Sequence, residues 1–227
     1  IRVSDEMMRP GDLINQISKW KTLSLHPPAA AQIAQTDKEH LASMGYRKYQ
    51  RQMKNSGAVD FDDLLLLTED LFEHHNDVRT VEAGMFDHVL VDEYQDTNLA
   101  QYAIVRALSM DYPNLSVTGD PDQSIYGWRG ANLSNILEFE NDYPDVHVVR
   151  LEQNYRSTKA ILRAAASLIA YNKRRKEKDL FTDNGEGDAV RLTTYLSNRE
   201  EAESIAARVV SEVRAGRRRP RDFAVFY

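Results

Sequence analysis

The chain contains no cysteine, which excludes disulfide stapling and thiolate metal centres. Its six histidines are scattered (His26, His40, His74, His75, His88 and His147), and none stands in a zinc-ligand spacing. Positive charge is not in excess: 29 Lys and Arg face 35 Asp and Glu, for a net charge of −6. A protein that grips nucleic acid by bulk positive charge would not look like this, although one that holds a strand in a local groove still could. No apolar run approaches the roughly 20 residues needed to span a bilayer. No signal peptide opens the chain, so a cytoplasmic location without membrane association is expected. Internal repeats and low-complexity segments are also lacking. One absence bears directly on chemistry. None of the 10 glycines precedes a lysine, so there is no G-x-x-x-x-G-K-[ST] loop, whose bare backbone N–H groups and lysine surround phosphates.

What is present is an ordinary globular composition. The 227 residues, 42% hydrophobic and 28% charged, suit one large domain or two modest ones. From Ile1 to about Ser56 the pattern is helical and polar. "GDLINQISKW" sets Leu13, Ile14, Ile17 and Trp20 at helical spacing, the prolines of "HPPAAAQ" are expected to interrupt, and a second helix is expected from Asp37 to about Lys54. "VDFDDLLLLTEDLF" opens a more apolar helix with its acids early, where the helix dipole favours them.

Short strands and helices then alternate. Strands are expected at "FDHVLVDE", "NLSVTGD", "DVHVVRL", "GDAVRLTTYL" and "DFAVFY". Helices are expected at "TNLAQYAIVRAL", "NLSNILEFEND", "STKAILRAAASLIAYN" and "REEAESIAARVVSEVRAG". In the third of these Ser157 or Thr158 is placed to cap, and Ile161, Leu162, Ala165, Leu168 and Ile169 form one face. The alternation predicts an α/β fold with a parallel sheet covered on both faces.

The chemistry concentrates in "VLVDEYQDTN", Val89 to Asn98. In open parallel sheets, ligands bind beyond the carboxyl ends of the strands, and Asp92 and Glu93 fall there. A carboxylate in such a place calls for a cation or hydrogen-bond donors. Magnesium held through one acid is a natural answer, with Glu93 taking a proton from attacking water. The plainer alternative is that these acids cap the next helix, a job for which Asp96, Thr97 and Asn98 are also available.

"DEYQDTN" is followed in order by "VTGDPDQSIYGWRGA" and "LEQNYRST", with "VDFDDLL" upstream. From Gly57 onward this string resembles the UvrD/Rep/PcrA group of superfamily 1 DNA helicases, the three segments matching that family's motifs II, III and IV. The resemblance implies RecA-like parallel sheets with flanking helices. It implies a helical accessory-domain remnant over residues 1–56, part of a first motor domain over 57–153, and motif IV with the start of a second motor domain over 154–227. It further implies an ATP-dependent 3′-to-5′ motor with ATP and Mg2+ as cofactors. Its partners would be single-stranded DNA, single/double-strand junctions and proteins of repair or replication.

Residue by residue, the resemblance makes Asp92 and Glu93 the magnesium-binding and water-activating pair. Gln123 becomes the sensor of the terminal phosphate, the alternative being a turn residue capping its own backbone. Tyr126 and Trp128 would stack on bases, as aromatic faces do for single strands, and Arg129 would touch phosphate or link the two sites. Phe61 would be a further base contact, or else a core phenylalanine. Tyr155 would stack on adenine and Arg156 would reach the terminal phosphate, a role that suits a planar, permanently charged fork; its alternative is a salt bridge to Glu152 or a nearby acid. The basic runs "NKRRKEK" (172–178) and "RRRPR" (217–221) are expected to be solvated surface at helix ends, the alternative being contact with a DNA backbone.

The chain starts at Ile1 rather than Met and stops in the apolar "RDFAVFY", so it is expected to be a piece of a longer protein whose phosphate-binding loop precedes it. The rival is a helicase-like module that binds DNA or a partner without catalysis. The isolated chain is expected not to turn over ATP. Steady turnover by the purified polypeptide, lost on Glu93→Gln, would contradict that.

Overall fold

The computed structural model describes residues 8–111 and 114–227. The part of the expected N-terminal helical segment before Met8 lies outside the described residues. Two compact units emerge: one runs to Leu151 and adds Tyr171–Lys178, and the other comprises Glu152–Ala170 and Asp179–Tyr227.

The first unit opens with α1 (Pro10–Thr22), α2 (Pro27–Ile33) and α3 (Asp37–Asn55). The prolines of "HPPAAAQ" do not interrupt a helix but start one. Pro27 and Pro28 occupy the first helical positions, where the missing N–H would have no partner anyway and the ring-fixed φ already suits the helix. Ile17, Trp20, Ala30, Ala42 and Tyr46 form a buried core, with Leu13 partly covered beside them. Ile14, expected on the same face, is exposed. Trp20 stacks on Tyr46 at 6.1 Å between ring centroids, and the Tyr46 hydroxyl donates to the Leu25 carbonyl at 3.1 Å.

A buried charge cluster ties this layer to α4 (Phe61–His74). The Lys21 ammonium has no exposed side-chain surface and lies 2.7 Å from a carboxylate oxygen of both Asp60 and Asp63. Gln50 donates to Asp63 at 2.7 Å and Tyr49 to Asp60 at 2.9 Å. Asp60 and Asp63 also form a reciprocal capping box on the first turn of α4, in which each satisfies an amide otherwise left open. Burial pushes the Asp60 carboxyl up, but donation from Lys21, the Asp63 amide and Tyr49 outweighs it and holds the group below the usual carboxylate range.

Helix α5 (Asn76–Ala83) packs with α4 and α6 (Leu99–Ser109). Its Arg79 is buried and donates to Asp111 at 2.7 Å and to the Ala107 carbonyl at 3.0 Å. The strands β1 (Val89–Val91) and β2 (Leu115–Val117) pair in parallel, with Val89 opposite Leu115 and Val91 opposite Val117. Tyr94, Ile136 and Phe139 form a second core beneath them, against Val91, Leu115 and Val117. The helix expected at "NLSNILEFEND" is present as two single turns, α7 (Ser134–Leu137) and α8 (Phe139–Asp142).

The broad, doubly covered parallel sheet is not what forms. Two strands make up the sheet among the described residues, and Leu90, on the face away from the second core, is 77% exposed. "DVHVVRL", "GDAVRLTTYL" and "DFAVFY" carry no strand. Strand formation requires a neighbour to take the backbone N–H and C=O groups; these segments have the apolar content of strands but no ladder partner among the described residues.

The second unit holds α9 (Lys159–Ile169) and α10 (Asn198–Arg214), with one parallel bridge between Gln153 and Phe181. Thr158 takes the N-cap position of α9 without a side-chain capping bond. Ile161 and Leu168 of its apolar face are exposed, because no sheet covers them. No helix among the described residues is long and apolar enough to cross a membrane.

Lys21→Met leaves the fully buried Asp63 carboxylate without its cation. Removing one partner of a buried pair costs about 3–5 kcal/mol, so urea unfolding of the chain should show a loss of that order. A loss below about 1 kcal/mol would mean that the cluster is not buried as a unit.

Candidate functional site

Parallel pairing sends both strands out at the same edge. β1 leaves as Asp92-Glu93 and β2 as Thr118-Gly119-Asp120, and the ladder extends past the strand ends. Thr118 N–H donates to the Val91 carbonyl at 2.8 Å and Tyr94 N–H to the Thr118 carbonyl at 3.0 Å. The acidic pair therefore lies beside the turn Pro121–Gln123.

Asp92 and Glu93 are both exposed; Glu93 precedes the 3-10 turn Tyr94–Asp96 without a side-chain capping bond, and neither acid caps α6. That role falls to Asn98, which forms a reciprocal capping box with Gln101. Asp92 Oδ1 accepts from the Glu93 amide at 2.9 Å. Glu93 sits at φ 51, ψ 42, in the left-handed region that costs a non-glycine residue about 1–3 kcal/mol and persists only when the surroundings enforce it. Its carboxylate accepts from Gln95 Nε2 at 2.7 Å. Nearby, desolvation and then the charge of Glu93 push the Asp96 carboxyl up from its ordinary value.

Gln123 is exposed and its side chain is turned onto its own loop: Nε2 donates to Asp120 Oδ2 at 2.8 Å. Asp120 also bonds Lys178. Burial acts upward on the Asp120 carboxyl, but the donors Lys178, Gln123 and the Asp122 amide prevail and lower it. Here the basic run 172–178 departs from expectation in part: Lys173 and Arg174 are exposed, as expected of surface, but three other cations are paired. Rather than being solvated, Arg175 pairs with the largely buried Asp122 at 3.2 Å, Lys178 lies 3.3 Å from Asp122, and Lys176 pairs with Glu140 at 2.8 Å. The acidic turn draws Arg175 and Lys178 partly out of solvent. In the run 217–221, Arg217 pairs with Glu212 and Arg219 with Asp222.

The aromatics of the same loop face outward. Trp128 is 75% exposed. Its ring lies 6.5 Å from that of Tyr126. The Arg129 guanidinium covers both, 4.6 Å from Trp128 and 5.6 Å from Tyr126. Gly130 closes this turn at φ 88, and a Cβ there would stand 2.4 Å from Thr22 Oγ1. Phe61 is the first residue of α4 and is 89% exposed, which rules out the core reading.

Tyr155 and Arg156 belong to the second unit. Tyr155 is exposed and its hydroxyl donates to Gln153 at 2.7 Å. The Arg156 backbone is held by the Asn154 side chain at 3.0 Å. Its guanidinium takes part in no ion pair among the described residues, so the salt bridge to Glu152 does not form.

The description "UvrD/REP helicase N-terminal domain" matches residues 2–144, and "UvrD-like helicase C-terminal domain" matches 149–227. The chain belongs to the UvrD/REP helicase family. It is 44% identical over 218 residues to an "ATP-dependent DNA helicase PcrA" of Leuconostoc citreum, covering 96% of this chain and 29% of that relative. The protein of the same name from Staphylococcus aureus (strain Mu50) is 42% identical over 226 residues, 99% of this chain and 31% of its own length. The UvrD/REP chain described here thus spans about three tenths of the curated relatives it matches.

Two residues beside the acidic pair, Gln95 and Asn135, have no role in the sequence pattern. Both are buried. Asn135 Nδ2 donates to Thr97 Oγ1 at 3.0 Å and to the Thr97 carbonyl at 3.2 Å, pinning the turn after the acidic pair. The one available signal was the presence of a glutamine within the motif itself. Gly119 is required by close approach, since a Cβ there would stand 2.5 Å from Gln95 Oε1 and 2.8 Å from Ile136 Cδ1. Gly119→Ala should therefore destabilise the first unit by about 1–3 kcal/mol, read by thermal or urea unfolding. An unchanged midpoint would show that the turn is free to move.

Proposed function

We propose that this chain supplies the water-activating acids, the phosphate-sensing turn and part of the strand-contact surface of an ATP-driven, 3′-to-5′ single-stranded DNA motor. The relatives' names say of those proteins that they are ATP-dependent DNA helicases. What supports it here is one observation: in a UvrD/REP chain, the parallel β1–β2 ladder sets Asp92 and Glu93 beside the turn that carries Gln123. RecA-like motor domains would supply the rest of the sheet, and residues 1–56, 57–153 and 154–227 would be the accessory, first-motor and second-motor portions.

In this reading Glu93 accepts the proton of the attacking water. Magnesium suits Asp92. No group of three or more metal-ligating side chains gathers among the described residues, and magnesium ordinarily takes one or two carboxylates with phosphate oxygens and water rather than a protein cage. Bound there, it would neutralise phosphate charge. Gln123 would exchange its bond to Asp120 for one to the terminal phosphate, Tyr155 would stack on adenine, and Arg156 would meet charge developing on the transferred phosphoryl group. Phe61, Tyr126 and Trp128 offer exposed faces for bases, and Arg129 adds charge against them. Single-stranded DNA and single/double-strand junctions are the proposed partners.

One observation favours a second reading, a DNA-binding module without catalysis: these 227 residues contain no phosphate-binding loop. DNA-stimulated ATPase assays on the complete protein that carries this chain separate the two. Arg156→Ala should lower turnover by about three orders of magnitude. Trp128→Ala should weaken single-strand affinity by roughly fivefold to 150-fold, the equivalent of one lost stack. A complete protein that binds DNA but never hydrolyses ATP would establish the binding module. Wild-type affinity in Trp128→Ala would remove the stacking role.

A further inference from the structure

We propose that Gln95 is a positioning residue that locks the Glu93 carboxylate and the Asp120–Gln123 turn into a single arrangement. The inference rests on the function proposed above and assigns it a part that no motor-motif role covers. Gln95 is 1% exposed. Its side-chain amide is used at both ends: Nε2 donates to Glu93 Oε2 at 2.7 Å, and Oε1 accepts from the Asp120 amide at 3.0 Å. Its main-chain carbonyl accepts from Ser124 Oγ at 3.2 Å. A weaker approach, Nε2 to Asp96 Oδ2 at 3.4 Å, lies on the same donor side.

The polarity is dictated by the neighbours. A carboxylate can only accept and a backbone amide can only donate, so a glutamine turned the other way would face like against like at both ends. Two further features fit a built bridge. Glu93 occupies a left-handed conformation that an ordinary side chain does not hold unaided, and the buried donor at 2.7 Å is charge-assisted, the stronger class of hydrogen bond. Position 119 is glycine, and any Cβ there would strike the same Gln95 Oε1. Beyond Asp120 the bonds continue through its carboxylate to Gln123. Four residues thus form one chain of contacts, from the proton acceptor to the phosphate sensor, with a neutral amide at its centre.

Gln95→Met keeps similar volume and removes both bonds. In the complete protein, kcat for DNA-stimulated ATP hydrolysis should fall by about tenfold or more, a share of the general-base contribution, while KM for ATP stays within about threefold. In a Glu93→Gln background the same change should leave residual turnover within about twofold, because the group being positioned is already gone. A merely structural role would instead lower turnover by the same factor in both backgrounds, and that result overturns the proposal. So does a loss confined to KM or to the folded fraction. Hydrogen exchange on the unaltered protein gives a reading independent of any variant: the Asp120 amide should be protected, and rapid exchange there overturns the bridge. If the complete wild-type protein shows no DNA-stimulated turnover, the proposed function falls first. If it turns over ATP and Gln95→Met does so equally well, only the bridge falls.

Discussion

The parallel ladder between Val89–Val91 and Leu115–Val117 is the constraint on which the candidate site depends. Three residues a side is a short sheet, but parallel pairing has a consequence that antiparallel pairing lacks: both chains leave at the same edge. Asp92-Glu93 and Asp120 through Gln123 are separated in sequence by an entire helix, yet they become neighbours because two apolar triplets run the same way. The core under the ladder, Tyr94 with Ile136 and Phe139, begins at the residue immediately after the acidic pair. Burying Tyr94 therefore sets where Glu93 can stand, and its left-handed backbone is the local cost of turning from strand to buried ring within one residue.

Around that edge several polar side chains are tied to specific partners. Asn98 and Gln101 close the start of α6, Asn135 holds the Thr97 carbonyl, and Gln95 takes up Glu93 and the Asp120 amide. Asp92 and Glu93 remain exposed although each accepts one local hydrogen bond, Asp92 from the Glu93 amide and Glu93 from Gln95. The aromatics show the same division. Trp20, Tyr46, Tyr94 and Phe139 are buried. Phe61 and Trp128 are held outward, the first at a capped helix start anchored by Lys21 and the second in a turn closed by Gly130 against Thr22. Consecutive residues of α1, Lys21 and Thr22, thus support the two exposed platforms.

Much of the local structure was legible in the residues. Helical periodicity located α1, α3, α4, α6, α9 and α10, and short apolar runs between helices located β1 and β2. The misjudged elements share a physical cause. Pro27-Pro28 resembles a break in sequence because proline lacks an N–H, although the first helical turn does not need one. The strands expected at 145–151, 187–196 and 222–227 carry the composition of buried strands, but a strand is a relation between two segments, and composition describes only one. The basic run 172–178 looked like solvated surface because charge by itself says nothing of a partner; Asp120 and Asp122, some 50 residues earlier, supply it.

By itself, the sequence determined the residue types that chemistry on a nucleotide would need, their order along the chain, and the membership of the UvrD/REP family that this order expresses. Those are properties of short contiguous strings, which local pattern records in full. Only the tertiary structure decided that Gln95 joins the acidic pair to the turn bearing Gln123, that Phe61 faces outward rather than into a core, and that a lysine is buried between two aspartates. Each of these depends on backbone distances set when distant segments pack, and burial and hydrogen-bond partnership come into existence only with that packing.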